Sequence, residues 1–340
     1  MSYLLAADIG GTKTLVALAA RGRPWPSVVA ERRYASRDFS VLEAVVQNFL
    51  ARPEVAGHAG DIAAACFAVA GPTEGGATVL TNLGWRIEAR ELATRFRLPV
   101  VTLINDFAAA GLGLPRLESG DLATLQHGLP REHGTRLVIG AGTGLGMGWL
   151  TWDGSRYVPQ DSEAGHADFA PVDEVQDRLL VSLRRNFGRV SYERVVSGPG
   201  LMRIFSFLQE AAAETPSREM LEAFRTGPDA TAVIGEFGAS RRDPLAVKAL
   251  DLFVAAYGAF AGNAALATLA HGGVYIAGGI APRIVAKLQE GGFMRAFTDK
   301  GRFAELLKTI PVQVVTKPQV GLWGALLEAE RLASGAAPAA

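Results

Sequence analysis

Twice in this chain an apolar strand runs into a glycine-rich turn and comes straight back out as a second strand. The first such unit is Tyr3 to Ala7, the turn Gly10-Gly11-Thr12, then Thr14 to Leu18. The second is Leu137-Val138-Ile139, the loop Gly140-Ala141-Gly142-Thr143-Gly144-Leu145-Gly146, then Met147 to Leu150. A turn built on glycine can adopt positive φ and bring backbone N–H groups close to a ligand, which is what a phosphate group requires. Recurrence of the unit far downstream predicts two domains, each opening on the same kind of phosphate-cradling turn. At 340 residues the chain also exceeds the size at which one hydrophobic core keeps growing.

Between and after these units strands alternate with helical patterns, which places the chain in the α/β class. Ala65 to Ala70 ends in Gly71-Pro72, and Val100 to Ile104 ends in Asn105-Asp106, followed by the helical Phe107-Ala108-Ala109-Ala110. Both strands deliver their C-terminal ends to loops, where the sites of α/β sheets gather. The stretch Gly111 to Pro115 is expected to cross into the second domain. Val274 to Ala277 reads as a strand, with Gly278-Gly279-Ile280 a third glycine turn at its end and Pro282 opening a helix to Leu288. Val312 to Val315 reads as a short strand, Leu322 to Leu332 as an amphipathic helix, and the alanine-rich end as frayed. The resulting expectation is a small α/β domain of residues 1–115 plus about 319–340, and a large one of about 116–318.

Composition narrows the classes of partner. Lys plus Arg and Asp plus Glu both number 34, with no long run of one sign, so nucleic acid and anionic membrane surfaces find no electrostatic footprint. Cys66 is the single cysteine and lies in an apolar run, which excludes a disulfide or a cysteine-built zinc site and predicts a buried thiol. Leu252 to Ala270 carries no charge, but its Asn263, Gly258, Gly262 and many alanines make it only weakly hydrophobic, so a buried core helix is expected over a membrane span. No secretion signal is read at the N-terminus, and a cytoplasmic protein acting on small molecules is expected.

The glycine turns match neither common phosphate-loop pattern. GxxxxGK[ST] is absent, and GxGxxG fails at its third glycine, so a P-loop ATPase and a Rossmann dehydrogenase both lose ground. What does match is an ordered set: Asp8-x-Gly10-Gly11-Thr12, then Gly140-x-Gly142-Thr143-Gly144-x-Gly146, then Ala277-Gly278-Gly279. This set resembles the nucleotide site of the sugar kinase, Hsp70 and actin superfamily. The resemblance implies a two-domain actin-like ATPase (ribonuclease H-like) fold with an interdomain cleft. It further implies that ATP is held with Gly10, Gly11, Thr12 and Lys13 on one side of the phosphates and Gly142, Thr143 and Gly144 on the other. Gly278 and Gly279 would lie by the adenosine, and Asp8 would hold Mg2+ through water.

A hexose presents hydroxyls that each donate and accept, so amide, carboxylate and imidazole side chains suit it. Ile104-Asn105-Asp106, Ser162-Glu163-Ala164-Gly165-His166 and Glu193-Arg194-Val195-Val196-Ser197-Gly198-Pro199-Gly200 supply all three. These segments resemble, in order and from Asp8 to Gly324, the bacterial glucokinase family. On that likeness Asn105, Asp106, Glu163, His166 and Glu193 contact the sugar, with Asn82 at the rim of the pocket. Phosphoryl transfer asks the protein mainly for positioning and charge neutralisation, so one base at the attacking hydroxyl suffices, and Asp106 has that role. Taken alone, Asp106 reads first as the N-cap of the helix that follows, and the surrounding set is what raises the base reading.

Lys13 departs from the family, whose close members commonly carry Asn there. Gly-Gly-Thr-Lys is common instead in the related ROK family, whose kinases add a cysteine-rich zinc motif that one cysteine cannot build; Ala167-Asp168-Phe169-Ala170-Pro171 occupies its place. Glucose and ATP are thus the expected substrates, and a homodimer is what the family likeness implies. The competing readings are a kinase for another hexose or amino sugar, a polyphosphate donor, or a non-catalytic sugar sensor. The sensor reading is disfavoured because such ROK relatives place a helix-turn-helix ahead of the first glycine loop, and seven residues precede Asp8.

Overall fold

The computed structural model describes residues 1–335 apart from Thr81, Ala213 and Pro228; the alanine-rich end expected to fray lies outside the described residues. β1 (Tyr3–Ile9) and β2 (Lys13–Ala20) form the first hairpin, flanked by β3 (Ser27–Ala35) and, on the other side, β4 (Ile62–Val69). β5 (Ala77–Leu80) and β6 (Trp85–Glu88) pair as a separate hairpin. With β7 (Val101–Asn105) the main sheet runs β3-β2-β1-β4-β7, and β1, β4 and β7 are mutually parallel. A second sheet contains β8 (Leu122–Gln126), β9 (Arg136–Ala141), β10 (Leu145–Trp152), β11 (Tyr157–Ser162), β12 (Gly273–Ala277) and β13 (Val312–Val315), in the order β11-β10-β9-β12-β13-β8.

The chain divides into two compact units. One comprises Met1–Gly120, Gly148–Asp161 and the C-terminal segment from Lys317; the other comprises Asp121–Met147 and Ser162–Thr316. Residues 148–161, expected in the large domain, group with the first unit. There Leu150 lies against Gly111, where an added Cβ would stand 2.3 Å from Leu150 Cδ1, and Gly148 lies against Phe107.

In the first unit, side chains alternate across β1 with the two-residue period of a strand. Tyr3, Leu5, Ala7 and Ile9 join a cluster with Leu42, Val46, Phe49 and Phe67, whereas Leu4 and Ala6 face Leu322, Ala325, Leu326 and Ala329 of the C-terminal helix Val320–Ala333. The face toward that helix is built from small residues, among them Ala6, Ala17, Ala64, Cys66 and Ala68, so the helix can approach the sheet closely. Cys66 is buried as expected, and burial pushes its thiol well up, away from the reactive thiolate.

The stretch Gly111 to Pro115 is not a crossover. It completes the helix Asp106–Gly113 and a following 3-10 turn within the first unit, which continues to Gly120. Its glycines permit contact rather than bending: a Cβ on Gly113 would lie 2.0 Å from the Val320 carbonyl oxygen, and one on Gly324 would lie 1.7 Å from that of Ala109. The Asp106 helix and the C-terminal helix are thus in backbone contact.

In the second unit, Pro244–Thr268 is long and apolar enough by composition to cross a membrane, but 72% of its most apolar window is buried inside the protein. It is the core helix expected. Gly258 and Gly262, one turn apart, let the helix Gly292–Thr298 press its backbone against it, since added Cβ atoms would lie 2.1 and 2.3 Å from the carbonyl oxygens of Phe293 and Phe297. Pro282, expected to open a helix, sits in a 3-10 turn (Ala281–Arg283) ahead of the short helix Val285–Gln289.

Candidate active site

In the first unit, the sheet register sets Ile9, Val69 and Asn105 in one row across β1, β4 and β7. The turn Gly10-Gly11-Thr12, the Gly71 loop and Asp106 therefore leave the same edge of the sheet, with the outer two separated by two strand spacings, roughly 10 Å. The turn closes through a hydrogen bond from Gly10 N to Lys13 O (2.9 Å). The N–H groups of Gly11 and Thr12 donate to no acceptor among the described residues, and both residues are solvent-accessible. Asn82 lies beside this turn, its Nδ2 3.6 Å from where a Cβ on Gly11 would be.

Asp8 shares the β1 face of Leu4 and Ala6, which directs it toward the start of the C-terminal helix. Gly321 makes room for it, because a Cβ there would lie 2.9 Å from Asp8 Oδ2. Burial pushes the carboxyl up to about 6, with the Lys13 ammonium opposing the rise. Lys13 thus acts electrostatically on Asp8. Among the described residues no hydrogen-bond donor reaches the Asp8 carboxylate. A half-buried, desolvated acid that no donor reaches fits a hydrated cation, and Mg2+ typically takes one or two carboxylates, several waters and substrate phosphates rather than an all-protein cage. No cluster of three His, Cys, Asp or Glu able to hold a metal occurs among the described residues.

The structure corrects the capping alternative for Asp106. Asn105 is the N-cap: its Oδ1 accepts from Phe107 N (2.8 Å) and Ala108 N (3.2 Å), while its Nδ2 donates to Gly71 O (3.3 Å). Asn105 is buried at 4% exposure. Asp106 is the first residue of the helix and half-buried, with Oδ1 accepting from Phe107 N at 3.0 Å.

In the second unit, β9 and β10 flank the loop Gly142-Thr143-Gly144, closed by Gly142 N to Gly144 O (2.8 Å) and held from outside by Gly198 N to Gly142 O (2.8 Å). Gly198 opens the helix Gly198–Ala212, so its N-terminus abuts the loop. Here too the N–H groups of Thr143 and Gly144 donate to no acceptor among the described residues. The third glycine turn joins them: Ala277 pairs with Gly140, Gly278 has φ +81°, and a Cβ on Gly278 would lie 2.7 Å from Ala141 O.

Glu193 Oε2 accepts from Leu145 N at 3.1 Å, and an added Cβ on Gly144 would stand 2.4 Å from it. Gly165 packs equally closely on Leu145 O (1.8 Å for an added Cβ). The Glu163-to-His166 turn and Glu193 are therefore both docked on the residue that ends the loop. Their segments are also bound to each other, through Phe169 N to Val190 O and Tyr192 N to Ala167 O, each 2.9 Å. His166 Nε2 and Glu163 Oε2 lie 4.0 Å apart with more than half of each side chain exposed, open to a polar ligand.

Each unit therefore presents a glycine cradle with unpaired N–H groups beside polar side chains suited to a sugar. The Glucokinase family profile matches residues 5–332, nearly the whole chain. The chain belongs to the glucokinase family. This glucokinase-family chain is 43% identical over 345 residues to the glucokinase of a Nostoc species, spanning 98% of this chain and 100% of that one. Among solved structures, glucokinase from an Antarctic psychrotroph is 31% identical and superposes with a TM-score of 0.79 over 96% of this chain and 98% of the other. A ROK family glucokinase from Streptomyces griseus, solved with glucose and AMPPNP, shares the fold at 23% identity, with a TM-score of 0.65 over 97% of this chain and 100% of that chain. The fold is the actin-like ATPase fold of sugar kinases.

Some supporting residues of this glucokinase-family site carry no motif. Ser36, Gly321 and Tyr257, whose hydroxyl accepts from Ala141 N at 3.1 Å, support the loops from distant positions. Only the pairing of Lys13 with Ala35 in the β2–β3 register brings Ser36 to the first loop.

Proposed function

We propose that this chain transfers the γ-phosphoryl group of ATP to the 6-hydroxyl of glucose, with Asp106 as the base. The observation that carries the proposal is the division of labour at the end of β7, in a chain of the glucokinase family. Asn105 caps the helix, and the carboxylate of Asp106 is held at the helix start by that cap and by the backbone contact of its helix with the C-terminal helix.

In this reading the N–H groups of Gly11, Thr12, Thr143 and Gly144 take phosphate oxygens, and the Gly278-Gly279 turn lies along the adenosine. Glu163, His166 and Glu193 hold sugar hydroxyls. Asn105 offers the second hydrogen of an amide already held at both ends, and Asn82 works at the rim where sugar and phosphate meet. Asp106 accepts the proton of the attacking hydroxyl as the bond to phosphorus forms, so the leaving proton has a fixed destination. Asp8 would hold Mg2+ through water, and that ion, when bound, neutralises charge on the phosphates. A homodimer is the assembly that the family likeness supports, and the even balance of acidic and basic residues favours small-molecule partners over nucleic acid and anionic membrane.

A coupled ADP-release assay with a hexose panel tests the reading. Glucose-dependent turnover that exceeds turnover with mannose, fructose and glucosamine is expected; turnover with another hexose alone would reassign the substrate. Asp106→Asn is expected to lower kcat by about 10² to 10⁴ with a normal fold by circular dichroism, since the amide cannot take the proton. Wild-type kcat in that variant removes Asp106 from the mechanism.

A further inference from the structure

We infer that Ser36, far in sequence from every glycine motif, is a positioning residue that aims the first phosphate loop. The inference rests on the reading of Gly10-Gly11-Thr12 as that loop. Ser36 is completely buried, follows β3 directly, and meets the turn through both its backbone and its side chain. Its N–H donates to Thr12 O (3.1 Å), and its Oγ donates to Gly10 O (2.8 Å). Its Oγ also lies 3.0 Å from Oγ1 of Thr14, itself fully buried. A serine hydroxyl has one hydrogen, and that hydrogen goes to Gly10 O, so Thr14 is the donor in this second contact. The result is a directed chain, Thr14 to Ser36 to Gly10, in which each bond polarises the next.

The consequence for the loop follows from peptide geometry. In a planar trans peptide the C=O and the following N–H point in opposite directions. Holding the Gly10 carbonyl toward Ser36, inside the protein, therefore turns the Gly11 N–H outward. That N–H donates to no acceptor among the described residues. A glycine turn has little conformational preference of its own, because Gly10 and Gly11 allow its peptide planes to rotate. Without the hydroxyl, the Gly10–Gly11 peptide can flip, presenting a carbonyl oxygen to the phosphates where a donor is needed. Ser36 thus converts a flexible turn into a donor of fixed direction, and its effect falls on the nucleotide rather than the sugar.

The test is a series at Ser36 read by steady-state kinetics and by calorimetric titration with a non-hydrolysable ATP analogue plus Mg2+. Ser36→Ala is expected to weaken ATP about three- to tenfold in both KM and direct binding, the range of one lost buried hydrogen bond, with the KM for glucose within about twofold of wild type. Ser36→Cys, a weak donor of similar size, is expected to fall between the two, and covers the case in which alanine fails to fold. Thr14→Val, which leaves the Ser36-to-Gly10 bond in place, is expected to have a smaller effect on ATP than Ser36→Ala. Unchanged ATP affinity in the alanine and cysteine variants overturns the inference, as does an equal loss toward glucose and ATP. A wild-type protein that binds the ATP analogue but does not phosphorylate glucose overturns the assigned reaction and leaves the loop measurement standing.

Discussion

Asp8 behind the first glycine loop and Glu193 behind the second are both acids set against a turn of backbone N–H groups, yet the protein treats them differently. Glu193 accepts the N–H of Leu145 and fits into space that only a glycine at 144 leaves. Asp8 meets no donor among the described residues, and burial drives its carboxyl up to about 6. One carboxylate shapes its loop; the other meets no donor among the described residues, and the Lys13 ammonium offsets part of the cost of its burial. The difference extends to the anchoring behind each loop. The first is tied by one residue, Ser36, through its hydroxyl and its N–H, and the second by several, through the Gly198 N–H, the Tyr257 hydroxyl and the close packing of Gly278. An acid compensated only in part costs stability, and at the proposed metal site the proposed activity would use that cost.

The largest effect that would break this comparison lies at Asp8. Asp8→Asn is expected to lower kcat by about 10- to 100-fold, as for other groups that act on a metal through a water, while making the unliganded protein more stable at neutral pH. The sign follows from the raised carboxyl. Below about pH 3.8 the acid is protonated in both the folded and unfolded chains and its burial is harmless. Between about 3.8 and about 6 the folded chain keeps a proton that the unfolded chain has lost, so stability falls as pH rises. Above about 6 the full penalty, on the order of 1 to 3 kcal/mol, is present. Thermal melts of wild type and variant without nucleotide should therefore diverge above pH 6 and converge near pH 4. Parallel curves would show that Asp8 is compensated after all.

A smaller effect is expected in the second loop. Gly144→Ala forces Glu193 Oε2 away from an atom that would otherwise sit 2.4 Å from it, and the bond to Leu145 N goes with it. The KM for ATP should rise about tenfold, and the KM for glucose should rise as well, since Glu193 serves both sides of the proposed site. An unchanged KM for glucose would separate Glu193 from the sugar. Smallest is the effect of Glu193→Gln on the nucleotide: the amide oxygen still accepts from Leu145 N, so the KM for ATP should stay within about twofold. A large loss toward ATP would mean that the charge of Glu193, rather than its hydrogen bond, shapes the loop.

How much of this was legible in advance depended on whether the chemistry was local. The two hairpins, the third glycine turn, the strands that lead to Gly71 and to Asp106, the buried Cys66 and the core helix around Gly258 are carried by apolar periodicity and by glycine, both of which act within a few residues. The choice between Asn105 and Asp106 as the helix cap was not legible, because adjacent acid and amide side chains cap equally well. The rotation of the chain after β7, with Gly71 O waiting for Asn105 Nδ2, decides it. Gly111 and Gly113 misled for a related reason. Glycine marks bends and close approaches alike, and only the helix packed against Gly113 tells the two apart.

The sequence by itself determined the class of fold, the phosphate-cradling turns and the set of polar residues suited to a hexose, since these reside in short runs whose physics is local. Tertiary structure alone decided which carboxylate is left without a donor, which asparagine is consumed in capping, and that Ser36 reaches the turn at Gly10. Those outcomes depend on strand register and helix contact, where residues distant in the chain come within hydrogen-bonding distance and no local pattern records the meeting.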